Sequence, residues 1–214
     1  MQVRATGHSE ATTTDGRGIP SIRVLKEGRL QLPSVFANQK GLRTMSEPTE
    51  NTRATISVSS KGTHLGEIVL RLFHDVAPGH VKNFAKLAQE GFYNGTTFHR
   101  VIPGFMIQGG DPNSKNSDRA SHGMGGPGHK VKAEFNSRPH KRGVLSMARS
   151  NDPDSAGSQF FICVADANFL DWQYTAFGEV VNGMDVADKV ANMKRDGRDN
   201  PLERVEMTVT ISES

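Results

Sequence analysis

From position 54 onward the chain alternates short apolar runs with turn residues. ATISVSS (54–60) and EIVLRLF (67–73) read as strands, the second with Ile68, Leu70 and Leu72 on one face, and the glycine of HLGE (64–67) supplies a turn between them. The period then changes. PGHVKNFAKLAQE (78–90) places Val81, Phe84, Leu87 and Ala88 on one helical stripe, with Pro78 in the tolerated first turn and Gly91 as the stop. TFHRVI (97–102) and FMIQGG (105–110) read as strands joined at Pro103-Gly104, and the Gly/Pro/Ser/Asn-rich stretch 111–128 reads as loop. GVLSMA (143–148), QFFICV (159–164), TAFGEVV (175–181) and VEMTVTIS (205–212) are further strands. A second helix is predicted over 184–193, with Met184, Ala187, Val190 and Ala191 on one side. Many short strands with two helices predict a mainly β protein, a barrel or sandwich with capping helices.

Within this pattern, FHRVIPGFMIQGGDP (98–112) sets Arg100 and Gln108 in an apolar run with no acidic residue between them. A guanidinium taken out of water without a carboxylate is unfavourable, so the segment has either a solvent-facing or a ligand-facing edge. A three-residue connection from Ile102 to Met106 would pair Arg100 with Gln108 across an antiparallel hairpin. The two would then share a face with Met106, and Gln108 could hold the guanidinium in one orientation. A polar pair on an apolar platform suits a largely apolar ligand with one or two hydrogen-bonding atoms.

Composition narrows the function. Charged residues make up 23% and hydrophobic residues 35% of the 214, as in ordinary water-soluble chains. The net charge of +3 is unevenly spread. Residues 1–44 hold seven basic and three acidic residues (+4), whereas residues 45–214 hold nineteen and twenty (−1), so the body has no charge-based case for binding nucleic acid. Residues 1–53 lack a sustained period and read as a flexible N-terminal extension, either a genuine tail or sequence upstream of a start at Met45. The single cysteine, Cys163, forms no disulfide within the chain and reads as an inert strand residue. No apolar run reaches the roughly 18 residues needed to span a bilayer, and no secretory leader is legible, so the chain is read as cytoplasmic.

Other chemistries fit poorly. The eight histidines lack metal-ligand spacing. GMGGPGHK (123–130) lacks the Gly-Lys-Ser/Thr ending of a phosphate-binding loop. DPDSAGSQFFIC (152–163) opens like a calcium loop but places Cys163 where the bidentate glutamate belongs. No metal or cofactor is expected.

The segments FHRVIPGFMIQGGDP, GVLSMAR, GSQFFIC and FLDWQYTAFGEVVNGMDV resemble, in order and spacing, the signature segments of the cyclophilin family of peptidyl-prolyl cis-trans isomerases; GMGGPGHKVKAEFN resembles the shorter bacterial form. The resemblance spans about 55–211. It implies a closed eight-stranded antiparallel β-barrel capped by two α-helices, and an enzyme that accelerates rotation about Xaa-Pro bonds in flexible or unfolded proteins. It also implies a catalytic Arg100 positioned by Gln108, with Phe105, Met106, Phe161 and Leu170 walling a proline pocket and Ala148 and Gln159 at its edge. Three positions depart from the commoner family residues: Arg149 for asparagine, Phe169 for tryptophan and Tyr174 for histidine. The exchange at 149 is expected to be tolerated, and Tyr174 still walls the pocket. Loss of an indole donor at Phe169 is expected to weaken cyclosporin binding more than catalysis. Trp172 is expected at the surface or rim. The implied partners are proline-containing peptides and unfolded proteins, met by a monomer. The competing reading is a non-catalytic proline-peptide binding module using the same pocket.

Overall fold

The structure, a computed structural model, describes residues 48–213. Residues 1–47, which hold most of the basic extension and the alternative start at Met45, lie outside the described residues. Among the described residues no helix is long and apolar enough to cross a membrane.

Among the described residues nine strands form one antiparallel sheet: β1 (Thr52–Ser60), β2 (Thr63–Leu72), β3 (Thr96–Thr97), β4 (Arg100–Ile102), β5 (Met106–Gly109), β6 (Val144–Met147), β7 (Phe160–Cys163), β8 (Ala176–Asn182) and β9 (Val205–Glu213). Their order is β3-β9-β1-β2-β8-β6-β7-β5-β4. The expected closed eight-stranded barrel is therefore corrected to a nine-stranded open half-barrel, and the extra strand and the opening share one origin. TFHRVI is not a single strand. Thr96 pairs with Met207 of β9, and Phe98 N–H still donates to Val205 at 3.0 Å. His99 N–H then donates to Gln108 at 3.0 Å, and Arg100 pairs with Gln108 of β5. The segment changes partner between Phe98 and His99, so it serves both ends of the sheet, and β3 and β4 form no ladder with each other.

A second correction concerns the first hairpin. Its turn is Lys61-Gly62, both in the left-handed region (φ 49° and 75°), as two-residue hairpin turns require. Gly66 of HLGE lies inside β2. A Cβ there would stand 2.6 Å from Val186 Cγ2, so this glycine admits a helix to the sheet.

Two helices cover the inner face. α1 (Pro78–Gln89) packs on β8 and β9, and α2 (Met184–Ala191) on β2, β4 and β5. The stripe expected on α1 is buried throughout; on α2, Val186 goes inside while Met184 is only partly buried. Phe84 docks α1, its ring 5.1 Å from Tyr93 and 5.5 Å from both Phe160 and Phe177. Alternation supplies the rest of the core: Ala54, Ile56 and Val58 from β1, Ile68 and Leu70 from β2, Phe160 and Ile162 from β7.

The N-terminus of α1 has no side-chain cap of its own, since Ala77 occupies the capping position. Glu134 supplies one from a distant loop, accepting from Gly79 N–H at 3.0 Å and His80 N–H at 2.9 Å while lying 2.6 Å from His80 Nδ1. These bonds outweigh desolvation and hold the Glu134 carboxyl below its ordinary range. Glu134→Ala is expected to lower stability by about 1–2 kcal/mol, read as a shifted urea midpoint; an unchanged midpoint would deny Glu134 its capping role.

Candidate active site

The register of four strands writes the site. Arg100 pairs with Gln108, Gln108 with Phe161, and Phe161 with Ser146, which puts the four in one row on the outer face of β4, β5, β7 and β6. The neighbouring row of that face is Ile102, Met106 and Cys163. Val101, Ile107 and Ile162, at the intervening positions, belong to the main core. The outer face therefore carries its own small apolar cluster, in which Met106, Phe161, Cys163, Ala167 and Leu170 are buried.

On this cluster opens a hollow of about 210 Å³ lined by Arg100, Phe105, Met106, Gln108, Ala148, Arg149, Phe161, Leu170 and Tyr174. Nine of the eleven sequence-predicted positions thus meet in one concavity. Gln159 lies next door, in the wall of a larger cavity of about 480 Å³ that also takes in Gln108, Ala148 and Arg149. Phe169 is 65% exposed at the outer rim, with its ring 5.4 Å from Phe105. Phe161 forms a wall, edge-on to Tyr174 at 5.7 Å.

The Arg100 side chain makes no hydrogen bond within the described residues and is 46% exposed. Its nearest carboxylate is Asp199, whose Oδ2 lies 3.9 Å from Nε, beyond hydrogen-bond reach, while Asp199 Oδ1 is bonded to Arg195 Nε at 3.0 Å. The guanidinium is thus partnered loosely, with its donors uncommitted. Gln108 does not hold it through a hydrogen bond: its Nε2 donates to Gln159 Oε1 at 3.0 Å. Gln159 in turn donates to the carbonyls of Gly123 and Gly125 at 3.0 and 2.9 Å, tying the sheet to the glycine loop that walls the larger cavity.

Several residues of this architecture had no local signal in the sequence. His140 is buried behind Phe161, its ring stacked at 6.2 Å and 18°. Its two ring nitrogens contact Asp171 Oδ1 at 2.9 Å and Ser146 Oγ at 3.0 Å, and Ser146 also donates to the Thr175 carbonyl at 3.0 Å. The His140 backbone N–H, donating to Asp171 Oδ1 at 2.7 Å, is the chief cause holding that carboxyl below its usual range. Asp111, fully buried, accepts from Asn113 N–H at 2.8 Å and from Gly123 N–H, which fixes the glycine loop. Cys163 lies beside Met106 on the neighbouring strand, its thiol pushed up to about 12 by burial, which keeps it unreactive.

Trp172 is at the surface as expected, 62% exposed, but with φ 62°, a left-handed backbone that a bulky side chain disfavours. Trp172→Gly is expected to raise stability by about 1 kcal/mol, seen as a higher urea midpoint; a lower midpoint would mean the indole contributes packing that outweighs the backbone strain.

The sequence model of the family described as "Cyclophilin type peptidyl-prolyl cis-trans isomerase/CLD" matches residues 55–211. A probable peptidyl-prolyl cis-trans isomerase of Brucella suis is 50% identical over 130 residues, 58% of this chain and 66% of that protein, so the match spans just under two thirds of that relative's length. A peptidyl-prolyl cis-trans isomerase of Helicobacter pylori is 45% identical over 148 residues, 67% of this chain and 86% of that protein. The crystal structure of a Cryptosporidium parvum cyclophilin type peptidyl-prolyl cis-trans isomerase, determined in the presence of the dipeptide Ala-Pro, superposes with a TM-score of 0.67 at 30% identity, covering 76% of this chain and 99% of that one. On the family match alone, which takes in the four strands that write the hollow, this chain belongs to the cyclophilin-type peptidyl-prolyl cis-trans isomerase family.

Proposed function

We propose that this chain accelerates cis-trans exchange about Xaa-Pro bonds in protein segments, assisting their folding, with Arg100 acting on the amide as it twists. One observation carries the reading: an uncommitted guanidinium at the edge of an apolar hollow. The peptide bond resists rotation because nitrogen shares its lone pair with the carbonyl, a barrier of ~18–20 kcal/mol. Xaa-Pro bonds populate both isomers and exchange in tens to hundreds of seconds, as an order of magnitude. At mid-rotation the lone pair localises on the prolyl nitrogen, which becomes a hydrogen-bond acceptor. A donor aimed there binds the twisted state better than either planar one, and only such a difference speeds a reaction. The Arg100 guanidinium, all donors and no acceptor, supplies that donor. Its charge-assisted bond is worth ~1.5–3 kcal/mol. The walls of Phe105, Met106, Phe161 and Leu170 would hold the ring while the acyl side turns, and their low polarity weakens the charge-separated resonance of the planar amide. Rotation breaks no σ-bond, so the step needs neither nucleophile nor acid-base pair.

Substrates under this reading are exposed proline segments, in line with the dipeptide present with the Cryptosporidium relative. Phe169 offers no indole N–H, and cyclosporin affinity is expected to suffer more than turnover. A protease-coupled assay on a proline tetrapeptide tests the proposal: the slow cis phase should quicken in proportion to added protein, and a phase unaffected by protein would refute it.

A further inference from the structure

The cations around the hollow are not matched by carboxylates. Arg149 lines both the hollow and the larger cavity beside it, Lys130 lines the larger one, and no aspartate or glutamate lines either among the described residues. The two spaces share Gln108, Ala148 and Arg149, so one extended peptide can occupy both.

Arg149 is held in place by neutral groups. Its Nε donates to the Gln173 carbonyl at 3.0 Å, and its Nη1 to those of Ser150 at 2.8 Å and Asn151 at 3.3 Å. The guanidinium carbon lies 4.7 Å from the Tyr174 ring centroid. Carbonyls and a ring fix its orientation without neutralising its charge, and Arg149 has no ion pair within the described residues. Nη2 makes no hydrogen bond there and remains open to a ligand. Asp152 lies 3.4 Å from Lys130 and also acts on Arg149 through space, but it pairs with the lysine and not with the guanidinium. On the opposite rim, Asp199 is engaged by Arg195 and only loosely offsets Arg100. A guanidinium already oriented loses little freedom when a carboxylate arrives, and its planar fork matches that group.

We propose that this site selects proline segments bearing an aspartate or glutamate side chain close to the Xaa-Pro bond, and that Arg149 is the residue that reads it. The proposal rests on the isomerase-site reading and names its substrate class. The test uses proline peptides differing only by Glu, Gln or Lys at each of the three residues preceding proline, with affinities measured on the full chain. At low salt the best-placed Glu peptide should bind about three- to tenfold more tightly than its Gln counterpart and the Lys peptide more weakly, with the order compressed at about 0.5 M salt. Arg149→Gln should bring the Glu/Gln ratio close to one, and Arg149→Lys should keep part of it. Equal affinities for Glu and Gln peptides at all three positions would overturn the proposal, as would an Arg149→Gln protein that keeps the preference. These are ratios of binding constants, read whether or not exchange is catalysed. A protein that discriminates the peptides without accelerating exchange would remove the isomerase reading and retain the selectivity.

Discussion

Arg100→Ala is expected to lower kcat/KM for a proline peptide by about ten- to a hundredfold while changing peptide affinity by less than about threefold. The asymmetry follows from where the guanidinium acts. A planar Xaa-Pro amide offers its nitrogen no lone pair, so Arg100 gains its bond only as the amide twists, whereas the ground-state peptide is held by the apolar walls. The substitution leaves no orphaned carboxylate, because Asp199 stays bonded to Arg195 at 3.0 Å. The fold should therefore be undisturbed, and a matched urea midpoint would confirm that the kinetic loss is local. Arg100→Lys keeps the charge but replaces the planar fork with a mobile point donor, and is expected to fall between wild type and Arg100→Ala. A loss of affinity as large as the loss of turnover would mean that Arg100 merely binds substrate.

Acid is expected to destabilise this protein well before its carboxylates titrate. His99, 5% exposed, precedes Arg100 in the chain and has its pKa pushed down from 6.5 to about 4, chiefly by burial. Asp111 and the Thr97 backbone pull it the other way, while His122 and Arg100 add to the depression. Above pH 6.5 the ring is neutral in both folded and unfolded chains, and its contribution is fully present. Between 6.5 and about 4 the unfolded chain takes up a proton that the folded chain refuses, so stability falls with pH, by about 3 kcal/mol across the window. His80, also lowered by burial, acts with the same sign. Glu134, held below the ordinary carboxylate range, adds its loss at still lower pH. Urea midpoints from pH 7.5 to 4 measure the effect, and His99→Gln should flatten the curve; the same slope in that variant would mean that other groups carry it.

The hairpin that carries the site could be read in the sequence because its determinants are local. Pro103-Gly104 fixed the connection, and alternation then set Arg100 against Gln108 and placed Met106 on the same face. The apolar walls followed from Phe161 and Leu170 in segments whose spacing resembled a known family. What escaped the sequence was decided by partners far along the chain. The break between Phe98 and His99 has no mark in TFHRVI, since it arises where one stretch leaves β9 for β5. The glycine of HLGE looked like a turn, but its requirement comes from Val186 more than a hundred positions later, while Lys61-Gly62 turns the chain. Asp199 reaches Arg100 from a separate loop, and His140 supports Phe161 from behind. Neither has a neighbour in sequence that would betray the contact. The turning of Gln108 toward Gln159 is likewise a tertiary choice, because strand pairing fixes which residues adjoin and not where an amide points.

Magnetisation-exchange NMR on an Xaa-Pro peptide titrated with the protein is the most direct test, since one set of spectra reports both the bound fraction and the exchange rate between isomers. If Arg100 and the hollow stabilise the twisted amide, exchange should accelerate in step with the bound fraction and stay accelerated at saturation, with Arg100→Ala binding nearly as well and exchanging far more slowly. Saturable binding with isomers still exchanging at the uncatalysed rate would mark a proline-binding module and contradict the account.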